Sequence, residues 1–199
     1  MQRCNIKRKL AECAKELAKE GLVSAASGNI SAKDGKIIYI KKSGTSFKKA
    51  KAQYFVDINN TALASIEHKL HKACYKARPG IKAVVHTHPV SILTLSSLGV
   101  KLKAVTIDFA IYFKNGINII KYAAPGSGQL ALLTKKAIKN KNAVILKNHG
   151  LVTIGKTIEE AMMRSIIAER EAKLILASIL LKRNIKYLTR KQLMSIYKI

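Results

Sequence analysis

The segment that most constrains this chain is Ala83-Val-Val-His-Thr-His-Pro89. Its β-branched, apolar run predicts a strand over 82–88, which Pro89 closes because it has no N–H to continue a ladder. Side chains alternate faces along a strand, so His86 and His88 point the same way, one strand step apart. Two imidazoles so placed can grip one metal ion, although a His-x-His pair alone also arises by chance. A third histidine, His149, directly follows the apolar run Ala143-Val-Ile-Leu146, as a ligand at the edge of a cleft would. Three histidines that leave a coordination position open make the arrangement of a catalytic rather than a structural zinc. Neutral imidazole nitrogen suits zinc and other first-row divalent ions.

The rest of the chain reads as one mixed α/β domain over 1–199, a sheet covered by helices, with no repeat and no linker. Leu10, Cys13, Ala14 and Leu17 recur at helical spacing, which predicts a helix over 4–20 stopped by Gly21. Asp34-Gly35 predicts a hairpin turn into a strand over 36–40. A helix over 66–77 ends at Arg78-Pro79-Gly80, and another runs from about Ser127 to 139. Further strands are expected near 104–107, 117–122, 143–147 and 151–154. Thr157-Ile-Glu-Glu160 has the form of a capping box opening a long helix to about 182, and Thr189 predicts the cap of a short C-terminal helix.

Charge raises a competing function. The chain carries 37 basic and 11 acidic residues, a formal net charge of +26. A basic face can neutralise nucleic-acid phosphates. Yet only 7 of the basic residues are arginine, lysines recur along nearly the whole sequence, and no aromatic interleaving or finger spacing accompanies them. The composition points to a solvated lysine surface that helps attract anionic substrates, with no nucleic-acid partner. No run of 18 apolar residues exists, and the basic N-terminus lacks an apolar segment behind it. Neither a membrane span nor a secretory signal is expected. Three cysteines, Cys4, Cys13 and Cys74, have no disulfide or metal spacing, so a reducing, cytoplasmic location is the expectation.

Several other residues carry chemistry only in company. Glu67 precedes His86 by nineteen residues on the predicted helix. Alone it reads as an exposed first-turn glutamate favoured by the helix dipole. His71 lies one turn beyond it and reads as an orienting or packing histidine, and His68 as a surface one. The loops Ser27-Gly-Asn-Ile-Ser31 and Ser43-Gly-Thr45 offer N–H and hydroxyl groups that can cradle a phosphate, but each alone is a turn signal.

Taken in order, these pieces resemble the class II aldolase/adducin family, nearest to its L-fuculose-1-phosphate aldolase branch. The resemblance rests on Gly28-Asn29-Ile30-Ser31, Ser43-Gly44-Thr45, Ser65-Ile66-Glu67 with His71, and Tyr75-Lys-Ala-Arg-Pro79. It continues through Ala83 to Pro89 and Lys147-Asn-His-Gly-Leu151, and so spans almost the whole chain. It implies a single three-layer α/β/α domain with a largely antiparallel central sheet, assembled as a four-fold homotetramer with active sites between subunits. It implies Zn2+ on His86, His88 and His149, with Glu67 completing the coordination and then leaving it to act as acid/base. Gly28, Asn29, Ser43, Gly44 and Ser65 would line a phosphate pocket for a sugar phosphate.

The implied reaction is zinc-dependent cleavage of a ketose 1-phosphate to dihydroxyacetone phosphate and an aldehyde. Ile66 stands where these aldolases tend to carry a second serine, and Thr106-Ile107-Asp108-Phe109 stands where they supply an aldehyde-side tyrosine. Asp108, Tyr112 and Tyr197 are the candidates to replace it. Within the same family, an L-ribulose-5-phosphate 4-epimerase is expected to carry aspartate at position 67. A methylthioribulose-1-phosphate dehydratase draws its acid/base from elsewhere. A non-catalytic adducin-like binding module lacks the histidine set.

Overall fold

The computed structural model describes residues 2–198, with side chains from residue 6 onward. Helix α1 (Gln2–Lys19) buries Leu10, Cys13, Ala14 and Leu17. It stops where Gly21 takes a left-handed φ of 71° and the Leu22 N–H turns back to the Leu17 carbonyl. Cys13 and Cys74 are free, buried thiols, and the side chain of Cys4 lies outside the described residues.

Seven strands form one sheet: β1 (Asn29–Asp34), β2 (Ile37–Lys41), β3 (Phe55–Asp57), β4 (Ala83–Thr87), β5 (Asn118–Ile120), β6 (Ala143–Leu146) and β7 (Gly150–Gly155). Their order is β3-β2-β1-β4-β7-β6-β5. Every neighbouring pair is antiparallel except β5 and β6, so the sheet is largely antiparallel as expected. The small-residue loop before the Asp34-Gly35 turn is itself partly strand, because β1 begins at Asn29 and pairs with both β2 and β4.

Helices cover both faces. On one lie α1, α3 (Val90–Ser97), α4 (Ile107–Tyr112) and α6 (Ile158–Leu180). The other carries α2 (His68–Ala77) and α5 (Gly128–Ile138). The strands divide their side chains accordingly. Ala143, Ile145 and Leu151 pack toward α3, α4 and α6. Val84, Val144, Leu146, Val152 and Ile154 pack with Leu70, Cys74, Leu130 and Ile138 of α2 and α5. Period two therefore fixes the site's layer: His86 shares the face of Val84, the α2 face, while Thr87 points back to Ser165 of α6 at 2.7 Å.

Two expectations need correction. Residues 104–107 do not form a strand. The run leads into α4, whose cap Thr106 accepts the Phe109 N–H, while the Glu171 carboxylate takes the N–H groups of Val105 and Thr106. A buried carboxylate, rather than a neighbouring strand, satisfies that backbone. At the start of α6, Thr157 accepts the Glu160 N–H as expected. The Glu160 side chain, however, takes the Lys156 N–H and pairs with Arg164, so the reciprocal half of the box is displaced by one residue. The short helix α7 (Arg190–Ile196) carries a complete Thr189–Gln192 capping box.

Candidate metal centre and its cleft

The site is assembled where β1, β4 and the turn between β6 and β7 meet the start of α2. Asn29 and His86 lie directly opposite one another on β1 and β4. His88 follows β4 by one residue, and Pro89 then caps α3. The β6–β7 turn brings in His149. Asn148 adopts a left-handed φ of 59° there, and the His149 N–H closes on the Leu146 carbonyl at 3.0 Å. Gly150 is required next, because a Cβ at that position would lie 2.3 Å from the Thr87 carbonyl oxygen and 3.0 Å from the His86 ring. Gly28 is required twice over: its φ is 70°, and a Cβ would lie 2.8 Å from the His86 carbonyl.

The three expected histidines come together. One ring nitrogen from each of His86, His88 and His149 lies within 4.8 Å of the others. His86 Nδ1 donates to the Leu151 carbonyl at 3.1 Å, which turns Nε2 toward the other groups of the site. His86 Nε2 sits 3.0 Å from His88 Nε2 and 2.9 Å from Glu67 Oε2. Glu67 Oε1 is 3.5 Å from His149 Nε2 but makes no hydrogen bond. Glu67, only 3% exposed, is thus not the exposed first-turn glutamate of the isolated reading. It is the residue just before α2, aimed into the histidines.

The electrostatics follow from burial and this one carboxylate. Burial pushes the Glu67 carboxyl up, but His86, His149 and the Asn29 amide outweigh it and hold the group ionised, well below the usual range. Burial pushes His88 down to about 4 and lowers His149 as well. His86 is desolvated too, yet Glu67 raises it. Two neutral rings and one ring paired with a carboxylate, with their nitrogens converging, form a donor set that fits a divalent cation.

A chain of hydrogen bonds behind Glu67 was not legible in the sequence. Asn29 Nδ2 donates to Glu67 Oε2 at 3.2 Å, and Asn29 Oδ1 accepts from His71 Nε2. His71 Nδ1 then accepts from Ser31 Oγ at 2.7 Å, and Ser31 accepts from Tyr75 Oη at 2.9 Å. Each partner fixes the next, so His71 is a neutral single tautomer, and burial with nearby His86 pushes it down to about 3. His71 therefore orients Glu67 through Asn29 rather than directly. His68 is only half-buried, its Nδ1 3.1 Å from the Ser65 carbonyl.

In front of Glu67 opens a cleft of about 330 Å³. Gly28, Asn29, Ser43, Gly44 and Ser65 all line it, together with Ile66, His88 and His149. Residues 63–65 run antiparallel to 41–43, which carries Ser65 to the loop of Ser43. The N–H groups of Ser43 and Ser65 are committed to the carbonyls of Leu63 and Lys41, so these two residues offer hydroxyls rather than backbone donors. Lys41, which the sequence hides inside a lysine-rich stretch, lines the same cleft. Asp108, Tyr112 and Tyr197 do not line it. Asp108 lies in a separate cleft of about 260 Å³ with Arg170 and Lys173, and Tyr197 reaches the Lys114 carbonyl at 3.4 Å.

Known proteins share this arrangement's sequence and fold. The profile of the Class II Aldolase and Adducin N-terminal domain matches residues 8–176. An L-fuculose phosphate aldolase of Methanocaldococcus jannaschii is 30% identical over 182 residues, covering 89% of this chain and 99% of its own. A 5-methylthioribulose-1-phosphate/5-deoxyribulose-1-phosphate aldolase of Escherichia coli O45:K1 is 28% identical, over 81% of this chain and 79% of its own. A solved L-fuculose 1-phosphate aldolase superposes with a TM-score of 0.87 at 24% identity, covering 98% of this chain and 95% of that one, which establishes the fold. With the profile spanning most of the sequence and the histidines, glutamate and small-residue loops gathered at one cleft, this chain belongs to the class II aldolase and adducin family.

Proposed function

We propose that this protein is a zinc-dependent aldolase that cleaves a ketose 1-phosphate, of the L-fuculose 1-phosphate type, to dihydroxyacetone phosphate and an aldehyde. The observation that carries the reading is Glu67. An ionised carboxylate is held 2.9 Å from His86 Nε2, among three convergent imidazoles and at the inner end of a cleft walled by small-residue loops. The relatives named for sugar-phosphate aldolase activity support it.

His86, His88 and His149 would hold the cation. A divalent ion on three imidazoles keeps open positions and supplies Lewis-acid polarisation of the substrate's oxygens. Glu67 does the proton work. In synthesis the ionised carboxylate takes the proton from the carbon that attacks the aldehyde, while an aldehyde-side group protonates the new C4 oxygen. In cleavage that group takes the C4 hydroxyl proton as the C3–C4 bond breaks, and Glu67 in its protonated form gives one to C3. Asn29, held by His71, keeps the carboxylate aimed from behind. Gly28, Asn29, Ser43, Gly44 and Ser65 bind the phosphate and so fix the sugar's register against Glu67. The described cleft contains no aldehyde-side acid. The reading therefore places that group on a neighbouring subunit of a homotetramer, with Tyr197 and Tyr112 as the residues to test. A cytoplasmic enzyme is the setting.

The test is metal analysis followed by a substrate panel. Purified protein is expected to hold about one zinc per chain, lost in His88→Ala. Zinc-loaded protein is expected to release dihydroxyacetone phosphate from L-fuculose 1-phosphate or 5-deoxyribulose 1-phosphate. Glu67→Gln is expected to abolish release while zinc is retained. Epimerisation of a pentulose 5-phosphate without any dihydroxyacetone phosphate would replace this reading with the 4-epimerase.

A further inference from the structure

We propose that Ser31 and Tyr75 are positioning residues for the proton transfer at Glu67: together they decide which end of the Asn29 amide faces the carboxylate. The role rests on the aldolase reading above, although neither residue lines the histidine cleft. Ser31 is wholly buried, and Tyr75 is only 9% exposed.

Their reach comes from two periods that meet. Asn29 and Ser31 are alternate residues of β1 and share one face of that strand. Glu67, His71 and Tyr75 follow one another a helical turn apart, from the residue before α2 into its body, and share one face of the helix. The two faces interleave, so the polar groups alternate between helix and strand in the order Glu67, Asn29, His71, Ser31, Tyr75.

The two ends of an amide have the same shape and opposite chemistry, so packing around Asn29 does not choose between them. An ionised Glu67 needs the N–H end. With the amide reversed, two acceptor oxygens would stand 3.2 Å apart. Among the described residues the other end of the amide meets only His71 Nε2, so the tautomer of His71 makes the choice. A hydrogen on Nε2 calls for Oδ1 and turns Nδ2 to Glu67; a bare Nε2 calls for the reverse. His71 carries a single ring hydrogen at working pH, since burial and nearby His86 push it down to about 3. Its Nδ1 faces Ser31 Oγ at 2.7 Å, and a hydroxyl can answer either tautomer. Tyr75 removes that freedom. A phenol is a better donor and a poorer acceptor than an alkyl hydroxyl, because its oxygen lone pair is drawn into the ring. Tyr75 therefore donates to Ser31 at 2.9 Å, the Ser31 hydrogen is left for His71 Nδ1, and the order runs one way to Glu67.

Solid-state 15N spectra of histidine-labelled protein as purified read the tautomer directly, with His71 identified by the signals that His71→Gln removes. Wild type is expected to show His71 in the Nε2–H form alone. Tyr75→Phe keeps the ring, removes the hydroxyl and is expected to show both tautomers, as is Ser31→Ala. On zinc-loaded protein, Tyr75→Phe is expected to release dihydroxyacetone phosphate with kcat reduced roughly threefold to tenfold and KM within about twofold of wild type. The aim of Glu67 changes there, and the substrate contacts do not. An Nδ1–H form in wild type overturns the inference without any variant. An unchanged single tautomer in both variants overturns it too. So does a rise in KM alone, which would assign the pair to the shape of the site rather than to the aim of Glu67. An ordered His71 in a protein that cleaves no sugar phosphate would remove the aldolase reading and leave the hydrogen-bond order standing. Cleavage with a wild-type kcat in Tyr75→Phe would remove the positioning role alone.

Discussion

Gly150 shows how much of the site is set by single residues that touch no substrate. It lets β7 pass beneath Thr87, so that His86 and His88 on one strand reach His149 on the preceding turn. The clash in Gly150→Ala would be with backbone and with both imidazole rings, none of which is a flexible chain end. We expect a loss of about 1–3 kcal/mol in urea unfolding, together with reduced zinc retention on dialysis against a weak chelator. An unchanged zinc content would mean that β4 and β7 part without moving the ligands. At this scale the sequence was informative about the converging histidines and silent about their supports. The three histidines have a spacing that points to metal. Asn29, Ser31, His71 and Tyr75 come from two elements and form one line only when β1 and α2 meet.

Elements divide the same way. Helices α1, α2, α5, α6 and α7 carry an apolar period or a local cap, and the sequence reading places all five within a few residues. The fold also contains α3 and α4, which that reading missed. Both are opened largely by carboxylates of α6. Glu169 accepts the N–H groups of Ser91 and Ile92 at 3.1 Å each, and Glu171 holds Val105 and Thr106. With no side-chain cap of its own and a β-branched start, α3 leaves no local signature. Glu169→Ala is expected to cost about 1–3 kcal/mol and to speed amide exchange at Ser91 and Ile92, with slower exchange retained in α5. Uniform acceleration across both helices would show that the carboxylate holds the whole domain rather than the first turn of α3.

For the molecule as a whole, the buried histidines set the acid limit. His71 is lowered to about 3 and His88 to about 4, burial being the first cause of each, against an ordinary value of 6.5. Unfolded chains bind protons at these positions below about pH 6.5, whereas the native state refuses them until pH 3–4. Their contribution to stability is therefore complete above 6.5 and is lost as pH falls. The raised His86 works in the opposite sense, being fully stabilising below 6.5, so it does not mask the loss. The urea midpoint of metal-free protein is expected to fall steadily from pH 6.5 to pH 5, and His71→Gln to flatten that slope. A midpoint independent of pH over this window would mean that both rings reach water in the native state.

By itself the sequence determined the histidine set that converges, the family and the period of most elements, because those signals are largely local: a strand alternates, a cap sits three residues from its partner, and a histidine at a strand end marks the edge of a cleft. Tertiary structure alone decided which of many lysines faces inward, which histidine orients the carboxylate through Asn29, and which helices are capped from a distance. Each of these depends on burial or on a partner far along the chain, as with Glu169 and Ser91 or Lys41 and Ala26. A lysine in water and a lysine buried under two loops are the same letter, and only the fold distinguishes them.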